Sequence, residues 1–167
     1  ESLHAFQDSA IQLARGPCYG DGAFTLGERH GNAGVFPIGI DTERFAKFAR
    51  RTATSRHTNR LKDSLTERAL IIGVDRLDYS KGIPNRFDAI DTLLTEHPEH
   101  RNHVSFLQIA PHSRSDVAQY RALRRELEAA VGAINGKFAE YDWTPLRYIN
   151  RTFTRLVLAG FYRAARM

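Results

Sequence analysis

The chain is poor in several things that would each have pointed to a class of protein. Of its 167 residues one is cysteine, one methionine and one tryptophan, and only four of its 24 basic residues are lysine. The lone Cys18 cannot close an internal disulfide, which excludes a disulfide-stapled scaffold. No apolar run approaches the roughly 18 to 20 residues of a helical membrane span, and the longest candidates are short ones such as Ala69 to Val74. No charged leader followed by an apolar stretch is visible at the amino end, so a reducing, cytoplasmic setting is expected. The seven histidines show no paired ligand spacing with Cys18, and no metal is expected. A glycine-rich P-loop is missing, because no glycine lies between Gly73 and Lys81. Nucleophile elbows, internal repeats and low-complexity segments are missing too.

What is present is the composition of a globular protein, 42% hydrophobic and 26% charged, with a formal charge of +5. The basic excess is nearly all arginine, the cation suited to bidentate phosphate recognition. Its densest stretch, Arg44 to Lys62, lacks the interleaved aromatics of a nucleic-acid surface, since Phe45 and Phe48 precede the dense part. It reads as a solvated face, and no nucleic-acid or membrane partner is expected. The chain opens on Glu1 and stops within a helical pattern, from which an internal fragment of a longer protein is expected.

Glycines punctuate residues 16 to 34, after a candidate helix over Leu3 to Leu13. Val35 to Ile40 reads as a short strand, and Asp41 or Thr42 caps a helix through Phe48, beyond which the basic stretch reads as a connector. From Ala69 the grammar is regular. Ala69 to Val74 reads as a strand buried on both faces; Pro84, Phe87, Ile90 and Leu94 mark a helix that stops at Pro98. Val104 to Ala110 is a second strand. Ser113 or Ser115 caps a helix whose stripe runs from Val117 to Ile134 and which Gly136 can end. Pro145 to Ile149 is a third strand, and Thr152 or Thr154 starts a last helix. Strands alternating with helices predict an α/β fold, a Rossmann-like parallel sheet with helices on both faces, whose ligands gather at the carboxyl ends of the strands.

Two loops at such ends carry candidate chemistry. After the first strand, Arg76 and Lys81 stand five positions apart just before a helix amino terminus, a combination that suits a diphosphate and stabilises its departure as a leaving group. After the second strand, Arg114 stands among Ser113 and Ser115 at the next helix start, a second anion site by the same physics. Phe153 borders the same crevice after the third strand. Two anion sites at adjacent strand ends suggest two phosphorylated ligands, or one long one.

The segments VFPIGID (35–41), VDRLDYSKGIPNRF (74–87), QIAPHSRSDV (108–117), INGK (134–137) and DWTPLRYINRTF (142–153) occur in an order and spacing that resemble the trehalose-6-phosphate synthases, retaining GT-B glycosyltransferases with two Rossmann-like domains. The resemblance covers residues 35 to 160. It implies that Arg76 and Lys81 bind the diphosphate of the donor UDP-glucose and stabilise the transition state. It also implies that Phe153 lies at the donor nucleotide sugar and that Arg114 binds the phosphate of glucose 6-phosphate. Transfer would give trehalose 6-phosphate and UDP without metal or other cofactor. The family's catalytic-region histidine and acidic donor loop have no counterpart in this stretch, so no catalytic residue is assigned within it. Residues 1–41 are expected to end an acceptor-side domain, 42–68 to be a basic connector, and 69–167 to be the first half of the donor domain. Assembly of the full-length form as a homo-oligomer is left open. Two rivals remain: a glucosyltransferase using another phosphorylated acceptor such as glycerol 3-phosphate, and a non-catalytic synthase-like regulatory subunit.

Overall fold

A strand that is apolar at every position has to be covered on both faces, and this requirement organises most of the molecule. A computed structural model describes residues 23–26, 28–32, 38–111 and 118–167, in two units divided after Ile40. In the first unit β1 (Ala23–Leu26) pairs antiparallel with β2 (Arg29–Asn32), Ala23 opposite Asn32. The helix expected over Leu3 to Leu13 lies outside the described residues, as does most of the strand expected over Val35 to Ile40. Its described end, residues 38 to 40, forms no strand, and Gly39 lies within it.

The second unit opens with α1 (Thr42–Thr52) and α2 (Arg56–Asp63). The stretch expected to be a connector beyond Phe48 is therefore helical over most of its length. The physical reason lies in its caps and in the good helix propensity of arginine and lysine. The Asp41 carboxylate accepts from the Arg44 amide at 2.9 Å, and the Ser55 hydroxyl accepts from the Thr58 amide at 3.3 Å. Arg50 and Arg51 then sit at the negative end of the α1 dipole.

Three parallel strands follow: β3 (Ala69–Val74), β4 (Val104–Ile109) and β5 (Leu146–Ile149), in spatial order β3-β4-β5. Ala69 stands opposite Val104 and Val74 opposite Ile109, while Phe106 faces Leu146. The connecting helices are α3 (Ile83–Glu96), α4 (Ala118–Phe138) and α5 (Arg155–Ala164). Pro84 occupies the first turn of α3, as its fixed φ favours, and Thr154 caps α5 through the Val157 amide. Gly136 does not end α4. The helix continues to Phe138, which is buried in the same core as Ile134 one turn earlier.

Side-chain alternation along the strands divides the core in two. Phe106 joins Ile83, Phe87, Leu94, Leu127 and Trp143 beneath α3 and α4. Leu70, Leu107 and Ile109 pack on the other face with Leu65 and with Phe161 of α5. After α5 the chain crosses back to the free edge of β3: the Arg166 amide donates to Leu70 O at 2.8 Å, and the Ile72 amide to Met167 O at 2.8 Å. The spatial order of the sheet therefore reverses at β3. α5 comes close to the first two helices because residue 160 is glycine. A Cβ there would overlap Thr58 Oγ1 and meet Thr52 O at 3.1 Å. At the amino ends of the strands Arg68, its side chain 7% exposed, ties two loops together through Asn102 and Asp142, the latter at 2.7 Å.

Candidate functional site

In an open parallel sheet the loops leaving the carboxyl ends of the strands border a crevice where the order reverses. Here that point is the end of β3, and the loop that leaves it is Asp75 to Gly82. Its geometry follows from short-range rules. Asp78 caps the 3-10 turn Tyr79–Lys81, its Oδ1 accepting from the Ser80 amide at 3.0 Å and the Ser80 hydroxyl at 2.9 Å. Gly82 then takes the left-handed conformation, φ 61°, that joins turn to helix at little cost to a residue without Cβ.

Asp78 Oδ2 accepts from Arg76 Nη2 at 3.1 Å and from the Tyr120 hydroxyl of α4 at 3.4 Å. The Asp78 side chain is only 10% exposed, yet its pKa is lowered from 3.8 to about 2, because the hydrogen bonds from Ser80, and then Arg76, outweigh the cost of burial. The Arg76 side chain remains 59% exposed. Lys81 is exposed as well, and its ammonium has no ion-pair partner among the described residues. Helix α3 follows its N-cap Gly82 without a side-chain cap; Ile83 is fully buried and Pro84 has no N–H, so the positive end of the helix meets solvent at the exposed Asn85.

A third cation is engaged differently. Arg86 of α3 pairs with Asp75, donates from Nη1 to Gln108 Oε1 at 3.3 Å and from Nη2 to the Lys81 carbonyl at 3.2 Å. Gln108 is fully buried on β4 and opposes Gly73 on β3. Thus Arg86 fixes the turn from below while Arg76 and Lys81 reach outward. A shallow groove of about 520 Å³ along α4, lined by Tyr79, Gln119, Ala122, Leu123 and Glu126, includes neither outward cation.

Of the residues singled out by sequence, Arg76 and Lys81 occupy one loop. Phe153 follows β5, whose parallel direction puts its exit loop on the same edge of the sheet. Its ring packs edge-on to Phe161 at 5.4 Å beneath the Arg151 guanidinium, which leaves its backbone for other contacts. Arg114 lies outside the described residues. Sequence reasoning missed Asp78, Arg86, Gln108 and Tyr120. Asp78 carried a signal, an Asx turn to the residue two positions on; the others meet the loop only through tertiary contact. Asn150, just past β5, has both polar side-chain atoms buried without a partner among the described residues. No group of three or more His, Cys, Asp or Glu among the described residues is placed to hold a metal ion. No helix among them is long and apolar enough to cross a membrane.

The chain is similar to known proteins in sequence and in fold. The model of glycosyltransferase family 20 matches residues 9–167. A trehalose-6-phosphate synthase of Sinorhizobium fredii is 42% identical over 98% of this chain and 36% of its own length. One from Klebsiella pneumoniae is 40% identical over 95% of this chain and 33% of its own length. Among solved structures, an alpha,alpha-trehalose-phosphate synthase (UDP-forming) from Burkholderia xenovorans in complex with glucose-6-phosphate superposes with a TM-score of 0.93. It is 41% identical and covers 98% of this chain and 36% of that one. A structure of trehalose-6-phosphate from E. coli bound with UDP-2-fluoro glucose has a TM-score of 0.87 at 37% identity, covering 97% and 36%. The chain spans about a third of the length of these relatives.

Proposed function

The chain belongs to glycosyltransferase family 20, and from that premise we propose that the full-length protein transfers glucose from UDP-glucose to glucose 6-phosphate with retention, giving trehalose 6-phosphate and UDP. In this reading residues 69–167 are the first half of the donor domain of a two-domain GT-B enzyme, and 1–41 end the acceptor-side domain.

The observation that carries the reading is the outward pair Arg76 and Lys81 over an uncapped helix terminus, at the point where the sheet order reverses. When the bond between the glucosyl carbon and the diphosphate breaks, its electron pair leaves with UDP. Two cations on this loop and the positive end of the α3 dipole hold that charge in place, which lowers the barrier to departure without calling on a metal ion. Phe153 offers its backbone to the donor, and Arg114 takes the phosphate of the acceptor. The setting is cytoplasmic.

UDP release by the full-length enzyme, assayed with UDP-glucose and glucose 6-phosphate, tests the reading. Arg76→Ala and Lys81→Ala should each cost roughly 2 to 4 kcal/mol of transition-state stabilisation, a loss of about 30- to 1,000-fold in kcat/KM. Absence of release by the wild type, or unchanged release by both variants, refutes it. An acceptor panel that includes glycerol 3-phosphate checks the acceptor.

A further inference from the structure

A carboxylate beside a diphosphate site is electrostatically out of place. Asp78 sits two residues from Arg76 and three from Lys81, and its charge opposes the anion those cations would attract. It is nevertheless ionised, 93% buried, and bonded through both oxygens: Oδ1 by Ser80, Oδ2 by Arg76 at 3.1 Å and by Tyr120 at 3.4 Å. Nothing in the charge balance of an anion site accounts for it.

The Arg76 contact does account for it. Arginine has five N–H donors and a long, rotamer-rich side chain. Asp78 takes one donor end-on at Nη2, which leaves the rest of the guanidinium facing outward while fixing its height and direction. The anchor is itself tethered, since Ser80 donates twice to one oxygen and the Tyr120 hydroxyl, on a separate helix, reaches the other at 3.4 Å. We propose that Asp78 is a positioning residue that aims the Arg76 guanidinium at the diphosphate, braced by the Tyr120 hydroxyl of α4. The proposal rests on the reading of Arg76 as a diphosphate ligand.

Positioning and bystander roles predict opposite signs. Asp78→Asn keeps an Oδ1 acceptor for the Ser80 cap and replaces Oδ2 by an amide that cannot accept from Arg76 or Tyr120. If Asp78 were only a turn cap, removing its charge would tighten anion binding. If it aims Arg76, binding weakens, and only while Arg76 is present.

The test is calorimetric titration of the full-length protein with UDP and, separately, with inorganic pyrophosphate. We expect D78N to weaken both by about tenfold in the wild-type background and to have no weakening effect, or a slight tightening one, in an Arg76→Ala background, since coupled residues are not additive. Tyr120→Phe, a milder change at the same oxygen, should weaken binding by about threefold with the same dependence on Arg76. It keeps the test decisive if D78N does not fold. If Arg76→Ala weakens binding while D78N or Y120F leaves it unchanged or tighter, or weakens it equally without Arg76, the inference is overturned and the diphosphate reading stands. A wild type that binds neither probe, or whose binding ignores Arg76→Ala, overturns both.

Discussion

Gly73→Ala tests whether the loop is held from beneath, since the nearest neighbours of a side chain there are Gln108 and Arg86 and not the outward cations. A Cβ on residue 73 would overlap Gln108 Oε1 and stand 3.1 Å from Gln108 Cδ and 3.2 Å from Arg86 Nη1. Gln108 is fully buried and has no space to retreat to without releasing Arg86 and the Ile109 carbonyl, to which its amide donates at 3.2 Å. A lost hydrogen bond to a charged partner costs about 1.5 to 3 kcal/mol. Overpacking of a tight core adds about 1 to 3 kcal/mol. Alanine is worth about 0.5 to 1 kcal/mol more than glycine within a strand, which offsets part of this. The net is a destabilisation of about 1.5 to 5.5 kcal/mol, local to β3 and β4. Hydrogen exchange of peptides covering these strands in the full-length protein reads that local opening directly. Because Arg86 also holds the Lys81 carbonyl, KM for UDP-glucose should rise about tenfold, the scale of a misplaced binding group. In a Gln108→Ala background the obstacle is gone, and Gly73→Ala should cost less than about 1 kcal/mol. Unchanged exchange at β3, or an equal cost in both backgrounds, refutes the argument.

Two further outcomes follow from the packing and the charges. Gly160→Ala should destabilise the protein by about 1 to 3 kcal/mol, because the new methyl meets Thr58 Oγ1 and the Thr52 backbone; a Thr58→Ala background should recover part of the loss in urea unfolding. Asp78 has a folded pKa of about 2 against 3.8 for its ordinary value, so its contribution to stability is present above about pH 4 and is lost as the pH falls from there toward 2. Wild-type stability should therefore fall more steeply than that of D78N in this window, and parallel curves would count against the hydrogen bonding described.

The regular half of the fold was legible because its signals are local and redundant. An unbroken Ile-rich run, a first-turn proline and a threonine cap gave β3, α3 and α5 their type and nearly their ends. Residues 49 to 63 misled because the second helix is announced by a single cap, Ser55, and because the face they pack against arrives only with α5. The extension of α4 past Gly136 shows the same override, since burying Phe138 outweighs a glycine in an exposed turn. At the site the outward cations could be read from spacing to a strand end and a helix start. The supporting groups could not: Arg86 reaches Asp75 from eleven residues away, and Tyr120 reaches Asp78 from forty-two.

The seam between α5 and the first two helices also sets an order of events. Thr52 and Thr58 close on Gly160, and Phe45 meets Tyr162 with ring centroids 6.2 Å apart, so these partners are separated by about a hundred residues of chain. At a synthesis rate of roughly 5 to 20 residues per second, α1 and α2 leave the ribosome about 5 to 20 s before the helix that covers them. During that interval their inner faces, Phe45 and Thr58 among them, are open to the cell. Over that interval the stretch Arg44 to Lys62, with seven cationic side chains and no acidic one, gives the unpartnered pair a surface of a single charge sign, which disfavours its self-association.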